Sequence, residues 1–226
     1  MNKKTAFTLA EVLITIGIIG IVAAMTLPAI IHKKQSVELE TGFKKGYSVL
    51  QQVIARMTAD EGQIINYDNY PDRKFYDIFK KYLSLYVDCG FDGCVSADIT
   101  PEDGGMNLVS KYKTYNKSRY TTLEMFDEGQ AITTDGMLFL VQNSSARESK
   151  IMISIDINGM NKGPNIMGHD LFTFQIQHNG KLLPMGTPGT TALFSMPCDK
   201  TSNSQFNGAG CAYRAFAEKD YFKNLP

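Results

Sequence analysis

The 226-residue chain has no net charge, because 23 Lys and Arg stand against 23 Asp and Glu. That balance argues against gripping a nucleic-acid backbone by bulk electrostatics, and no nucleic-acid partner is expected. Proline is sparse at 8 residues and apolar residues reach 43%, which excludes a disordered chain and a collagen-like one. Mean hydropathy of −0.17 excludes a polytopic membrane protein but leaves room for one span. Catalytic signatures are also missing. There is no Gly-x-Ser-x-Gly, no phosphate-cradling Gly-rich loop ending in Lys-Ser/Thr, and no His-Glu-x-x-His. His32, His169 and His178 stand apart, in positions typical of surface residues. The chain reads as a non-enzyme. Its four cysteines fall in two close pairs, the usage of an oxidising compartment.

What the chain does have is one long apolar run at its start. After Lys3-Lys4-Thr5-Ala6, residues Phe7–Ile31 carry a single charge, Glu11, and His32-Lys33-Lys34 closes the run. Twenty helical residues span about 30 Å, the hydrocarbon thickness of a bilayer. Lys3 and Lys4 favour a cytoplasmic N-terminus, although Lys33 and Lys34 on the far side weaken the bias. Three readings compete. One is a secretory signal peptide cut after Ala24, at Val22-Ala23-Ala24, which would release a periplasmic or secreted binding protein. A second is a plain single-span anchor. The third must explain Glu11. A carboxylate in a membrane helix costs about 2.5–3.5 kcal/mol, so it marks function and needs a cationic partner.

Lys3-Lys4-Thr5-Ala6 followed by Phe7-Thr8-Leu9-Ala10-Glu11-Val12-Leu13-Ile14 resembles the leader and start of type IV pilins and type II secretion pseudopilins. The family usually has glycine before the cut, where this chain has Ala6, and a bulky aliphatic where Ala10 stands. The resemblance implies a leader of residues 1–6, removed by a prepilin peptidase between Ala6 and Phe7, with N-methylation of Phe7. It implies that Glu11 pairs with the Phe7 amine of a neighbouring pilin or pseudopilin subunit, which supplies the missing cation. Pro28 matches a proline common in the pilin helix, where a lost hydrogen bond permits a kink or local melting. The expected location is the inner membrane, single-pass, with the head outside the cytoplasm and a filament in the periplasm or at the cell surface.

Beyond the span, Phe43, Tyr47, Leu50, Ile54 and Met57 step by helical intervals, one apolar stripe on an amphipathic helix. Phe7 to about Met57 reads as one helix of about 75 Å, with Gly62 as its stop. A second helix is expected over 72–87, with Phe75, Ile78, Phe79, Tyr82, Leu83 and Tyr86 on one face. Residues 96–120 read as a long polar loop. From Tyr120 the period becomes two, giving candidate strands at 121–126, 130–134, 137–142, 150–157, 171–178 and 181–185. Asp135-Gly136 and Asn179-Gly180 supply hairpin turns. Residues 186–226 form an irregular C-terminal segment with a last short helix over 212–223. The fold class is α+β: a long N-terminal helix, membrane span plus amphipathic half, packed on an antiparallel sheet in a pilin-like head covering 32–226.

Cys89 and Cys94 are near neighbours, as are Cys198 and Cys211. Four cysteines allow three connectivities; local pairing is the simplest, and spacing alone does not prove it. The segment Asp156-Ile157-Asn158-Gly159 running on to Gly168-His169-Asp170 clusters oxygen ligands in a Gly-rich turn. Asp156, Asn158 and Asp170 are therefore candidates for calcium, and major pseudopilins hold calcium in a loop of this sheet. Lys162 in its middle favours the alternative, in which Asn, Asp and Gly serve turn geometry.

Overall fold

The structure is a computed structural model that describes residues 8–99, 107–144, 150–191 and 196–226. Chain contacts divide it into two compact units, Met1–Glu38 and Leu39–Pro226, the second of which is called the head below.

Helix α1 runs Leu9–Glu61 with Pro28 inside it. It stops where Gly62 turns left-handed at φ +65°, a backbone state that glycine reaches without a Cβ penalty. Within the head, the stripe turns inward: Phe43, Leu50, Ile54 and Met57 are buried. They meet Phe139, Val141, Ile153, Phe172 and Phe174 in one core. Two glycines set the approach. A Cβ on Gly42 would lie 3.2 Å from Ile157 Cδ1, and one on Gly46 would lie 3.5 Å from Ile155 Cγ2. Only at Gly42 does the missing Cβ let the neighbouring chain come closer than an ordinary contact.

The sheet has six strands in the order β1-β4-β5-β6-β7-β8: β1 Leu85–Gly90, β4 Gln130–Thr133, β5 Leu138–Ser144, β6 Lys150–Asp156, β7 Leu171–Ile176 and β8 Leu182–Pro184. Every pairing is antiparallel. A separate hairpin joins β2, Leu108–Lys113, to β3, Tyr120–Thr122. Both sheet faces are covered. Leu138, Leu140 and Leu171 look away from α1 and pack with Tyr112, Phe126, Met167 and Phe206 in a second core. Polar residues of that face are buried with them: Ser154 Oγ bonds Thr173 Oγ1 at 2.8 Å and Gln175 Oε1 accepts from the Thr191 amide at 2.7 Å, whereas Gln175 Nε2 and Gln142 Oε1 have no partner among the described residues.

Four local expectations are corrected. The second helix, α2, covers only Lys74–Phe79, followed by a 3-10 turn at Lys80–Tyr82. Leu83 then turns extended, and Leu85–Gly90 pairs with β4 as a strand. Helical spacing of aromatics loses here to a sheet edge that needs its backbone groups paired; Tyr86, placed on the buried face by that spacing, is 75% exposed. The loop over 96–120 contains β2, whose period is broken by a register irregularity between Val109 and Lys113. Of the strand expected at 121–126, only Thr121 and Thr122 pair. Thr122 then accepts a hydrogen bond from the Glu124 amide and opens a 3-10 turn. The last helix, α3, is Cys211–Ala217, and Glu218 ends it in an extended conformation.

Candidate functional site

Residues 8–38 carry the densest group of expected functional positions. Ala6 and Phe7 lie outside the described residues. Glu11 occupies the first turn of α1 and closes a capping box with Thr8: the Thr8 amide donates to Glu11 Oε2 at 2.8 Å, and the Glu11 amide donates to Thr8 Oγ1 at 3.2 Å. Sequence reasoning missed this cap, whose signal is the Thr8-x-x-Glu11 spacing. Glu11 thus orders its own helix start as well as lying in an apolar stretch. Pro28 has no amide hydrogen for the carbonyl one turn back, yet the helix continues through it.

The surface around these residues is apolar. Leu13, Ile16, Ile19, Met25 and Ile30 are each exposed by more than half. The helix is long and apolar enough to cross a membrane. So much exposed hydrocarbon calls for a cover, either lipid or other apolar helices.

In the head, Cys89 is joined to Cys94 and Cys198 to Cys211. The first bond ties β1 to the following turn. The second draws 196–198 onto α3, where Arg214 donates to the Cys198 carbonyl at 2.7 Å.

The calcium candidates lie in a hydrogen-bonded turn. Asp156 Oδ1 accepts from the amides of Asn158 and Gly159 at 3.2 and 2.8 Å, and Oδ2 accepts from the Tyr112 hydroxyl at 2.6 Å. Asp170 accepts from the Asn165 and Ile166 amides, both at 2.7 Å. Four carboxylate oxygens are therefore taken by chain donors. Burial lifts both carboxyls, Asp156 to about 6 and Asp170 to about 7, the second raised further by the charge of Asp156. Among the described residues no group of three or more His, Cys, Asp or Glu could hold a metal. The amide bonds are those of turn geometry, with Asp156 bonding the amides that follow it, while the side-chain oxygens of Asn158 and Asn165 beside them are buried without a hydrogen-bond partner among the described residues. Sequence reasoning missed Tyr112, 44 residues away, and no local signal marks it.

A groove of about 420 Å³ lies between Tyr86, Thr133, Leu138 and Lys162. Its lining holds no His, Cys, Asp or Glu.

The combination defines a class: an α+β protein whose long N-terminal helix presents an exposed apolar surface and whose head is an antiparallel sheet, the pilin-like layout. Residues 1–27 match the family model described as the prokaryotic N-terminal methylation motif, the signature of type IV pilins and pseudopilins. That motif's family is structural rather than enzymatic. No curated protein and no solved structure matches the chain.

Proposed function

We propose that this chain is a structural subunit of a type IV pilus or type II secretion pseudopilus. Prepilin peptidase cuts it before Phe7, the new amine is methylated, and the subunit waits in the inner membrane as a single span with its head outside the cytoplasm. Assembly proceeds laterally through the N-terminal helix. There Glu11 sets register by pairing with the Phe7 amine of a neighbour, because an unpaired carboxylate in an apolar bundle penalises misaligned copies. The observation that carries this reading is the methylation motif at residues 1–27 running directly into an exposed apolar helix that contains Glu11.

The test is the N-terminus and intact mass of the protein isolated from its own membranes. A chain beginning at methylated Phe7 is expected. A chain beginning at Met25 would instead mark an ordinary signal peptide and a soluble exported binding protein, and would retire the role given to Glu11.

A further inference from the structure

The groove beside Tyr86 is built by two local departures from regular structure. On one side, β1 advances two residues, Leu85 to Val87, while β4 advances one, Thr133 to Ile132. The extra residue is Tyr86. A bulge of this kind bends a strand and re-aims a side chain, and Tyr86 is 75% exposed, more than any other large hydrophobic residue described in the head. On the other side stands the loop 158–162 that follows β6. In the sheet order β4 and β5 lie between β1 and β6, so the strands that carry the two walls are about 14 Å apart. Ile132 and Leu138 from the intervening strands, with Met160, supply an apolar floor.

The loop wall is held before any ligand arrives. Asp156 accepts from the Asn158 and Gly159 amides, the Lys162 amide donates to the Gly159 carbonyl at 2.9 Å, and Asn165 Nδ2 donates to the Met160 carbonyl at 2.9 Å. A Cβ on Gly159 would run into the Gly136 carbonyl, so glycine alone lets the loop seat on the β4–β5 turn. Little ordering therefore remains to be done on binding. The groups presented are unspent. Among the described residues the side chains of Tyr86, Thr134, Asn161 and Lys162 have no hydrogen bond or ion pair, and all four residues are exposed. The acids near the rim are committed elsewhere: Asp135 pairs with Lys45 at 2.8 Å and accepts from Thr133 Oγ1, and Asp88 accepts from the Tyr76 hydroxyl and from Lys80. Lys162 is the one charged residue among those lining the groove.

We propose that this groove binds a sugar of the uronic-acid class. Its volume of about 420 Å³ falls within the range of small-ligand sites, about 300–1,000 Å³. The face of an aromatic ring is negative, and the C–H face of a pyranose stacks against it at Tyr86. The hydroxyls at the edge of the sugar then meet Thr134 and Asn161. Lys162, with the Asn161 amide next to it, supplies N–H donors for the sugar's carboxylate, and a charge-assisted bond is about twice as strong as a neutral one. A neutral sugar would leave that ammonium unused, and an apolar ligand would bury it unpaired. Binding here needs one copy of the chain and does not depend on assembly.

The experiment is saturation-transfer NMR on the full chain in detergent, with trigalacturonate as the probe and galactotriose as its neutral counterpart. Saturation is expected on the ring C–H protons of trigalacturonate, with an affinity about tenfold above that of galactotriose and falling as salt is added. Tyr86→Ala and Lys162→Gln should each weaken binding about tenfold, whereas Tyr86→Phe and Lys162→Arg should keep it. Complete disulfides and unchanged thermal unfolding show that each variant is folded. Polysaccharide released from the producing cells is run beside the probe. A Lys162-dependent signal from it marks a ligand of the cell's own envelope, and a signal from trigalacturonate alone marks a foreign one; the site stands in both cases. No saturation of trigalacturonate, or a signal that ignores both Tyr86→Ala and Lys162→Gln, overturns the proposal. If a short peptide ending in a free carboxylate gives the Tyr86- and Lys162-dependent signal and trigalacturonate does not, the groove is a peptide site and the proposal is likewise overturned. Cleavage before Phe7 is scored separately, so the subunit reading stands or falls on its own measurement.

Discussion

Tyr112 donates its hydroxyl to Asp156 Oδ2 at 2.6 Å, with both side chains buried. The bond fastens the β2–β3 hairpin to the end of β6 and gives a desolvated carboxyl its only side-chain donor among the described residues. Burial raises Asp156 to about 6, above its unfolded value of about 4. Between those values the native state holds more protons than the unfolded one, so this group lowers stability as pH rises. Tyr112 offsets part of that cost. Tyr112→Phe should therefore lose about 1–3 kcal/mol at pH 7.5 and less at pH 4.5, where the carboxyl is largely protonated. The chain has no tryptophan, so tyrosine circular dichroism of the detergent-solubilised protein reports the transition. Equal losses at both pH values would contradict this account.

Gly42 and Gly46 separate helix propensity from packing. At Gly46 a Cβ would make an ordinary 3.5 Å contact with Ile155. Gly46→Ala should therefore gain about 0.5–1 kcal/mol and raise the unfolding midpoint by about 2 °C. At Gly42 the contact is already tight, 3.2 Å to Ile157 Cδ1. Gly42→Leu forces the helix and β6 apart and should cost about 1–3 kcal/mol. Thermal unfolding of the two variants checks the opposite signs.

The disulfides should differ in reach. Cys198–Cys211 closes a separation of 13 residues, and Cys211 is buried in the core shared with α1. Replacing both by Ser should lower global stability by about 3 kcal/mol. Cys89–Cys94 closes a separation of 5 on an edge strand. Its removal should cost about 2 kcal/mol by the same chain-entropy relation, with faster amide exchange concentrated in β1. Hydrogen exchange read strand by strand distinguishes the two; uniform acceleration after loss of Cys89–Cys94 would contradict the local assignment.

The legible parts of the fold are those where one physical period runs undisturbed. Phe43, Leu50 and Met57 recur at helical spacing because a single face of α1 meets the sheet. Strands β6 and β7 alternate over ladders in continuous register, while β5 opens with the unbroken apolar run Leu138–Val141. Alternation does not reveal what covers the polar face, and Gln142, Ser154 and Gln175 are as buried as their apolar neighbours. The bulge in β2 erased its own period, while Phe75, Phe79 and Tyr86 imitated a helix that the pairing of β1 with β4 interrupts. At the calcium candidates, residue types were visible but their donors were not: the partners of Asp156 are two local amides and a distant tyrosine. Glu11 is the reverse case, since its motif stands in the sequence and its cap with Thr8 is equally local.

That cap makes the choice of substitution at Glu11 decisive. Glu11→Ala removes the charge and also the reciprocal bond with Thr8, a cap worth about 1 kcal/mol, so a defect in that variant has two explanations. Glutamine at the same position can still accept from the Thr8 amide, as it does in other capping boxes, and it carries no charge. Glu11→Gln therefore keeps the helix start and deletes only the electrostatic partner for a neighbour's amine. If the charge sets register, Glu11→Gln should be cut before Phe7 at the normal rate and reach the membrane in normal amount. Its sheared filament should nevertheless fall about tenfold or more, nearly as far as with Glu11→Ala. Thr8→Ala, which loosens the cap and keeps the charge, should assemble close to normally. Wild-type filament yield from Glu11→Gln together with a failing Thr8→Ala would mean that the carboxylate serves its own helix, and that register is set elsewhere.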